Sequence, residues 1–222
     1  MTAQENRRTI GIVQTTHFGH SCVLLDTGSA RLLIDPGTWS QGFESVTGLD
    51  AVLVTHQHGD HLDAQRLPAL LQGNPEARLI VDPGSAEQLS DHDHEVATSG
   101  MTLQVGGTRV EVLGGDHAVI YPDVPMVPNN AYLVDGTYLH PGDSFTLPLG
   151  QVEVLFVPTS APWLKVAEVI DYLRAVSPRT AVPIHQAVLS TQGEQLHYRL
   201  LGNLSSPQTT VQVLDHGEPT TL

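Results

Sequence analysis

Thr55–Asp63 reads THQHGDHLD and places His56, His58, Asp60 and His61 directly behind a short apolar run, Ala51–Thr55 (AVLVT). That run reads as a strand. In an extended segment residues two apart face the same side, so His56 and His58 can reach one ion together. Gly59 lets the chain turn sharply, and Asp60 and His61 can then point to a second position nearby. Imidazole and carboxylate are ligands that zinc accepts in catalytic sites. Without a metal, four such groups packed between His56 and His61 would crowd polar atoms at a strand end. A solvated polar loop is the plain alternative.

Working outward, further Val-, Ile- and Leu-rich runs recur between Gly, Pro and Asp. They are Cys22–Asp26, Arg31–Ile34, Arg78–Val81, Arg109–Leu113, Ala131–Val134, Val152–Val157, Thr180–Ile184 and Thr210–Leu214. All read as strands. Helical signals lie between them. Asp63 can cap a helix over Ala64–Gln72 that Pro68 would disturb, and Ser85–Ser90 suggests a short helix. After Ser160, the residues Val166, Val169, Ile170, Leu173 and Val176 share one helical face, and Pro178 stops that helix near Ser177. Strands interspersed with helices predict an α/β architecture of mixed sheets with helices outside. No linker or low-complexity segment divides the chain, so residues 1–222 read as one domain.

A faint internal repeat supports two similar halves. Leu32–Thr38 resembles Tyr138–Ser144, Ala51–Thr55 resembles Val154–Thr159, and Ala77–Asp82 resembles Pro178–His185. A site between such halves would draw ligands from both.

The chain has 222 residues, 40% of them apolar, enough for one well-buried core. Cys22 is the single cysteine, which excludes a disulfide framework and a four-cysteine zinc site. Lys and Arg total 10 against 24 Asp and Glu, and the formal net charge is -14. A surface this acidic repels a phosphate backbone, so nucleic acid is not an expected partner. The N-terminal MTAQENRRTIGIVQ lacks an apolar stretch of signal-peptide length, and no run is long enough to span a bilayer. A cytoplasmic protein without a membrane partner is the expectation, and self-association is left open.

The His-x-His-x-Asp-His signature at His56–His61 resembles that of the metallo-β-lactamase superfamily. The likeness extends along the chain through Asp35 in LLIDPG, His117 in GGDHAV, Asp143 in HPGDS and His185 in VPIHQ. It implies a four-layer αβ/βα sandwich holding two divalent metal ions. By the resemblance, His56, His58 and His117 hold the first ion, Asp60, His61 and His185 the second, and Asp143 bridges them. Asp35 would support the histidine loop without binding metal. Imidazole-rich coordination suits zinc, with manganese or iron also compatible. His17–Trp39 is similar to the branch containing ascorbate-6-phosphate lactonase and the N-acylethanolamine phospholipase D type, and Asn130 and Tyr132 fit that branch too.

The implied chemistry is hydrolysis of a small ester-like molecule, a lactone or a phosphodiester, by a metal-bridging hydroxide that Asp60 orients. The competing reading is a non-catalytic metal-binding or regulatory module of the same fold. His20 reads as a pocket residue or as a buried histidine hydrogen-bonded near Asp35, the second preferred. His140 reads as support or packing, and His92 and His94 as exposed. His197 and His216 carry no motif. Trp39 and Trp163 fit pocket walls or core equally well. Cys22 reads as a small buried apolar residue and not a nucleophile.

Overall fold

A computed structural model describes residues 13–222, so the reading of the first twelve residues lies outside it. Among the described residues, two seven-stranded sheets face each other. The first contains β1 (Gln14–His17), β2 (Val23–Asp26), β3 (Arg31–Ile34), β4 (Ala51–Leu53), β5 (Arg78–Val81) and β6 (Glu95–Val96). The second contains β7 (Thr102–Val105), β8 (Thr108–Asp116), β9 (Pro128–Val134), β10 (Tyr138–His140), β11 (Val154–Pro158), β12 (Thr180–Ile184) and β13 (Thr210–Val211). The last strand, β14 (Thr220–Thr221), returns to the first sheet and pairs with β1.

The repeat seen in the sequence is a repeat of topology. β2 is antiparallel to β3, and β3, β4, β5 and β6 then run parallel. Likewise β9 is antiparallel to β10, and β10, β11, β12 and β13 run parallel. The three pairs of similar segments fall on β3 and β10, β4 and β11, and β5 and β12. Each half therefore presents the carboxyl ends of its parallel strands to the same region, where α/β sheets place their ligands.

Strand periodicity accounts for the layers. Leu32 and Ile34 of β3 join the core between the sheets, together with Val154 and Phe156 of β11 and Val182 of β12. The alternate residues face outward. Leu33 packs beside Leu67 and Leu70 on one side, and Leu155 and Val157 pack beside Val169 and Leu173 on the other. Both faces of these strands are covered, which explains their continuous apolar runs. The outer layers are α1 (Leu67–Gly73) and α2 (Pro83–Gln88) on the first sheet, and α3 (Val166–Val176) and α4 (Thr191–Leu204) on the second. No described helix is long and apolar enough to cross a membrane.

The predicted boundaries shift for local reasons. The helix expected from Ala64 begins at Leu67. The Asp63 carboxylate accepts from the backbone N–H of Gln65 and Arg66 in a preceding turn, and Pro68 fits only in the first helical turn. The helix expected over Ser85–Ser90 starts at Pro83, because Asp82 caps it by accepting from Gly84 and Ser85. α3 has the expected face, with Val169, Ile170, Leu173 and Val176 buried, and ends at Ser177 in the left-handed region before Pro178. The Thr210–Leu214 strand is reduced to Thr210–Val211.

His17, at the end of β1, is buried and donates from Nε2 to the His20 carbonyl at 2.9 Å. Burial lowers its pKa to about 4, despite that hydrogen bond and with help from the neighbouring His216. In the unfolded chain it titrates near 6.5, so its neutral burial stabilises the fold fully above that pH. That contribution is lost as pH falls from 6.5 towards 4, a swing of about 3 kcal/mol. In metal-free protein, the drop in melting temperature between pH 7.5 and 4.5 should be smaller for His17→Gln than for wild type. Equal drops would show that His17 is not a source of the acid lability.

Candidate metal centre

The histidine loop leaves β4 at Val54 and is fixed from both sides. The Asp35 carboxylate, just after β3, accepts from the Thr55 backbone N–H and hydroxyl, each at 2.7 Å. His61 folds back through backbone bonds from His61 and Leu62 to the His58 carbonyl. Gly59, read as the residue that permits the turn, has an ordinary φ and room for a side chain. The required glycine is Gly37. A Cβ there would lie 1.8 Å from the Asp60 carbonyl oxygen, so backbone packs directly on backbone. Thr38 N–H donates to the Gly59 carbonyl at 2.8 Å, closing the same contact.

Second-half residues arrive from the matching strand ends. His117 follows β8, Asp143 follows β10, and His185 follows β12 with φ 60°. The turn before Asp143 needs Gly142, which has φ 59° and whose Cβ would lie 2.3 Å from Asn129 Oδ1. Asn129 Oδ1 in turn accepts from the Asp143 backbone N–H at 2.9 Å.

Every residue singled out in the sequence for metal binding meets in one place. Three sets have ligand atoms mutually within 4.8 Å: His56, His58 and His117; His56, His61 and Asp143; and Asp60, His61, His185 and His20. Asp143 lies between the halves. Its Oδ1 is 3.1 Å from both His61 Nε2 and His185 Nε2, while Oδ2 is 3.3 Å from His117 Nε2. His56 Nε2 and His58 Nδ1 are 3.0 Å apart. Ligands of one zinc ion, with bonds near 2.1 Å, lie about 3–3.5 Å from one another, so these separations suit shared cations.

Hydrogen bonding tests that fit. His61 Nε2, His117 Nε2, His185 Nε2 and Asp143 Oδ1 are all buried without an aligned hydrogen-bond partner. Buried polar atoms are seldom left so, and bound cations would satisfy them. The opposite ring nitrogens are each held. His61 Nδ1 meets Asp35 Oδ2 at 2.6 Å, His56 Nδ1 meets Thr55 Oγ1 at 3.1 Å, and His117 and His185 Nδ1 meet the Ala118 and Ser160 carbonyls, each at 2.5 Å. Such partners fix which nitrogen faces an ion.

The electrostatics agree. Burial alone would raise the Asp143 carboxyl, yet His185 and His61 hold it well below the usual carboxylate range. Asp60 is likewise held far down, against its burial, by His185 and His20. Burial opposes protonation of His61, but Asp143 and Asp35 outweigh it and push the imidazole well up; His185 rises to about 9 in the same way. His56, by contrast, is driven down by burial and by His61. The carboxylates are thus held ionised, and positive charge between them is favoured, whether from the His61 and His185 imidazoles or from bound cations.

His20 differs from its preferred reading. It meets Asp60, not Asp35: Nε2 donates to Asp60 Oδ2 at 3.0 Å, and the ring lies 3.9 Å from that of His185. Its Nδ1 is buried and unpartnered, unlike the outer nitrogens of His56, His61, His117 and His185. That contrast favours a donor that orients Asp60 over a metal ligand. Burial lowers the pKa of His20 to about 4, overcoming the bond to Asp60. His140 bonds the Ser21 carbonyl at 2.9 Å and stays 4.0 Å from Asp35. His92 and His94 are half-buried and border a separate depression with Arg78 and Glu95. Cys22 is buried, which pushes its thiol well up, as befits a packing residue.

Two tryptophans left open by the sequence lie at the site. Trp163 Nε1 donates to Asp143 Oδ2 at 2.9 Å, and Trp39 packs edge-on against His20 at 4.8 Å. Gln186 and His216 also border the site, joined at 3.1 Å. Nothing in the sequence pointed to His216. Gln186 could have been suspected from its place next to His185.

Two mixed sheets with outer helices, and a histidine-aspartate cluster at their facing strand ends, define the metallo-β-lactamase fold. The family model described as "Beta-lactamase superfamily domain" matches residues 14–185, and the chain belongs to that family. Protein Rv0786c of Mycobacterium tuberculosis is 47% identical over 207 residues, covering 91% of this chain and 96% of the relative. The UPF0173 metal-dependent hydrolase PH1671 of Pyrococcus horikoshii is 25% identical over 194 residues, covering 78% and 84%. Among solved structures, Igni18, a metallo hydrolase from Ignicoccus hospitalis, superposes with TM-score 0.71 at 19% identity over 95% of this chain and 98% of that one.

Proposed function

We propose that this protein is a hydrolase that holds two divalent ions, zinc by preference, and cleaves a small ester-like substrate. The observation that carries this is the position of Asp143, whose Oδ1 faces His61 and His185 of one ligand set while its Oδ2 faces His117 of the other. His56, His58 and His117 would hold one ion, and Asp60, His61 and His185 the other. Five imidazoles and two carboxylates of this type suit zinc, and manganese or iron would also fit. The names of relatives such as the Pyrococcus horikoshii metal-dependent hydrolase support the same class. Bound ions would supply a water acidified to near neutral pH and positive charge for the substrate oxygen.

The chain's own residues do the rest. Asp35 fixes the tautomer of His61, and the Ser160 carbonyl fixes that of His185. Trp163 donates to Asp143 Oδ2, which restrains rotation of the bridging carboxylate. Asp60, with its side chain 18% exposed, is the carboxylate that reaches the mouth of the site. There it can accept a hydrogen bond from an attacking water and so orient it, while His20 Nε2 holds its Oδ2. The acidity of the chain argues against a nucleic-acid substrate and for a small molecule.

The test is a substrate panel of lactones, phosphodiesters, thioesters and β-lactams with chelator-stripped and zinc-loaded protein. Turnover of one class should vanish on stripping and return with zinc. If the fully metallated protein turns over none of them, the fold serves here as a metal-binding module.

A further inference from the structure

A cavity of about 750 Å3 opens beside the cluster, a size that suits a small organic ligand. His20, the partner of Asp60, forms part of its wall, together with Phe18, Trp39, Gln186, Glu194 and His216. Among the described residues no Lys or Arg lines it, and Glu194 is its one formally charged side chain. Behind Trp39, Arg66 reaches the carbonyls of Gly37 and Ser40, but its guanidinium is engaged by Asp63 and Glu44. Lys165, the single lysine, points to solvent beside Glu168.

The opposite flank is apolar. The segment after His117 exposes Val119, Tyr121, Val124 and Met126, with Asp123 as its only charge. It borders His58 and His117 directly. Large apolar side chains gathered and exposed next to a polar centre mark a binding surface. A phosphate group taken from water into the cavity would meet no Lys or Arg among the described residues and would face Glu194 and a net charge of -14.

We propose that this cavity takes the non-reacting part of an uncharged carboxylic ester or lactone with an apolar body, and discriminates against phosphorylated substrates. The proposal rests on the hydrolase assignment above and narrows its substrate class. Trp39 supplies the apolar wall, Gln186 and His216 offer hydrogen bonds to neutral oxygen or hydroxyl groups, and Glu194 repels anions.

Zinc-loaded protein is given γ-butyrolactone bearing a butyl side chain and the same ring bearing a phosphomethyl group. The butyl compound should have a kcat/KM at least about 100-fold higher. Glu194→Lys should narrow that gap about tenfold by raising the rate with the phosphorylated compound. Binding is read separately by saturation-transfer NMR with 2-butyltetrahydrofuran, which has no carbonyl to hydrolyse. Trp39→Ala should weaken that binding at least about tenfold. Trp39-dependent binding of the ether without turnover of either lactone would support the cavity and overturn only the hydrolase assignment. Preference for the phosphorylated lactone or for bis(4-nitrophenyl) phosphate would overturn the proposal. So would ether binding that is absent or indifferent to Trp39→Ala.

Discussion

Asp60→Asn is expected to lower turnover by about a hundred- to ten-thousand-fold under saturating zinc, with the fold intact. The substitution keeps the size of the side chain and one acceptor oxygen but removes the charge. Three histidines now face that carboxylate: His20 at 3.0 Å, His185 at 3.5 Å and His61 at 3.9 Å. The neutral amide accepts a weaker hydrogen bond from an attacking water or hydroxide, orients it poorly, and holds a cation more weakly. Saturating zinc separates weakened binding from lost chemistry. Circular dichroism and melting should stay near wild type, because the cores between and outside the sheets are untouched. Near wild-type turnover of a genuine substrate would remove Asp60 from the reaction.

Asp143→Ala should empty both metal positions, whereas His56→Ala should mainly empty one. Asp143 Oδ1 lies 3.1 Å from His61 and His185 of one ligand set and Oδ2 3.3 Å from His117 of the other, so the loss is shared. His56 contributes most directly to the set with His58 and His117. Affinity at both positions should fall at least about a hundredfold in Asp143→Ala, more than loss of an outer hydrogen-bond partner costs. Competition against a chromogenic chelator measures each equivalent in turn. Two fully occupied positions in Asp143→Ala would show that the carboxylate is no bridge.

Much of this site could be read from the sequence because its residues sit at strand ends. Apolar runs ending in His56 and His185 advertise both the strand and the polar group it delivers, and the internal repeat advertises that two such halves exist, although the short β10 before Asp143 was not legible as a strand. The layered core was legible for the same reason: Arg31–Ile34 and Val152–Val157 are apolar on both faces. Contacts made by loops crossing between halves were not legible. His20 and Asp60 are 40 residues apart and meet where the Gly37 backbone packs directly on that of Asp60. Trp163 reaches Asp143 from the loop before α3, which no spacing rule reports. α4 went unread because Gly193 and Gly202 interrupt TQGEQLHYRLLGNL and only Leu201 is buried. β1, β6 and β14 are short or polar strands at or near the edge, where alternation is weak.

The most direct test of the dinuclear centre is anomalous diffraction from crystals of zinc-loaded protein prepared without chelator. Two zinc peaks per chain are expected of a two-ion site. One should lie among His56, His58 and His117, the other among Asp60, His61 and His185, with Asp143 between them. A single peak after full zinc loading, or peaks ligated by other residues, would contradict the dinuclear centre.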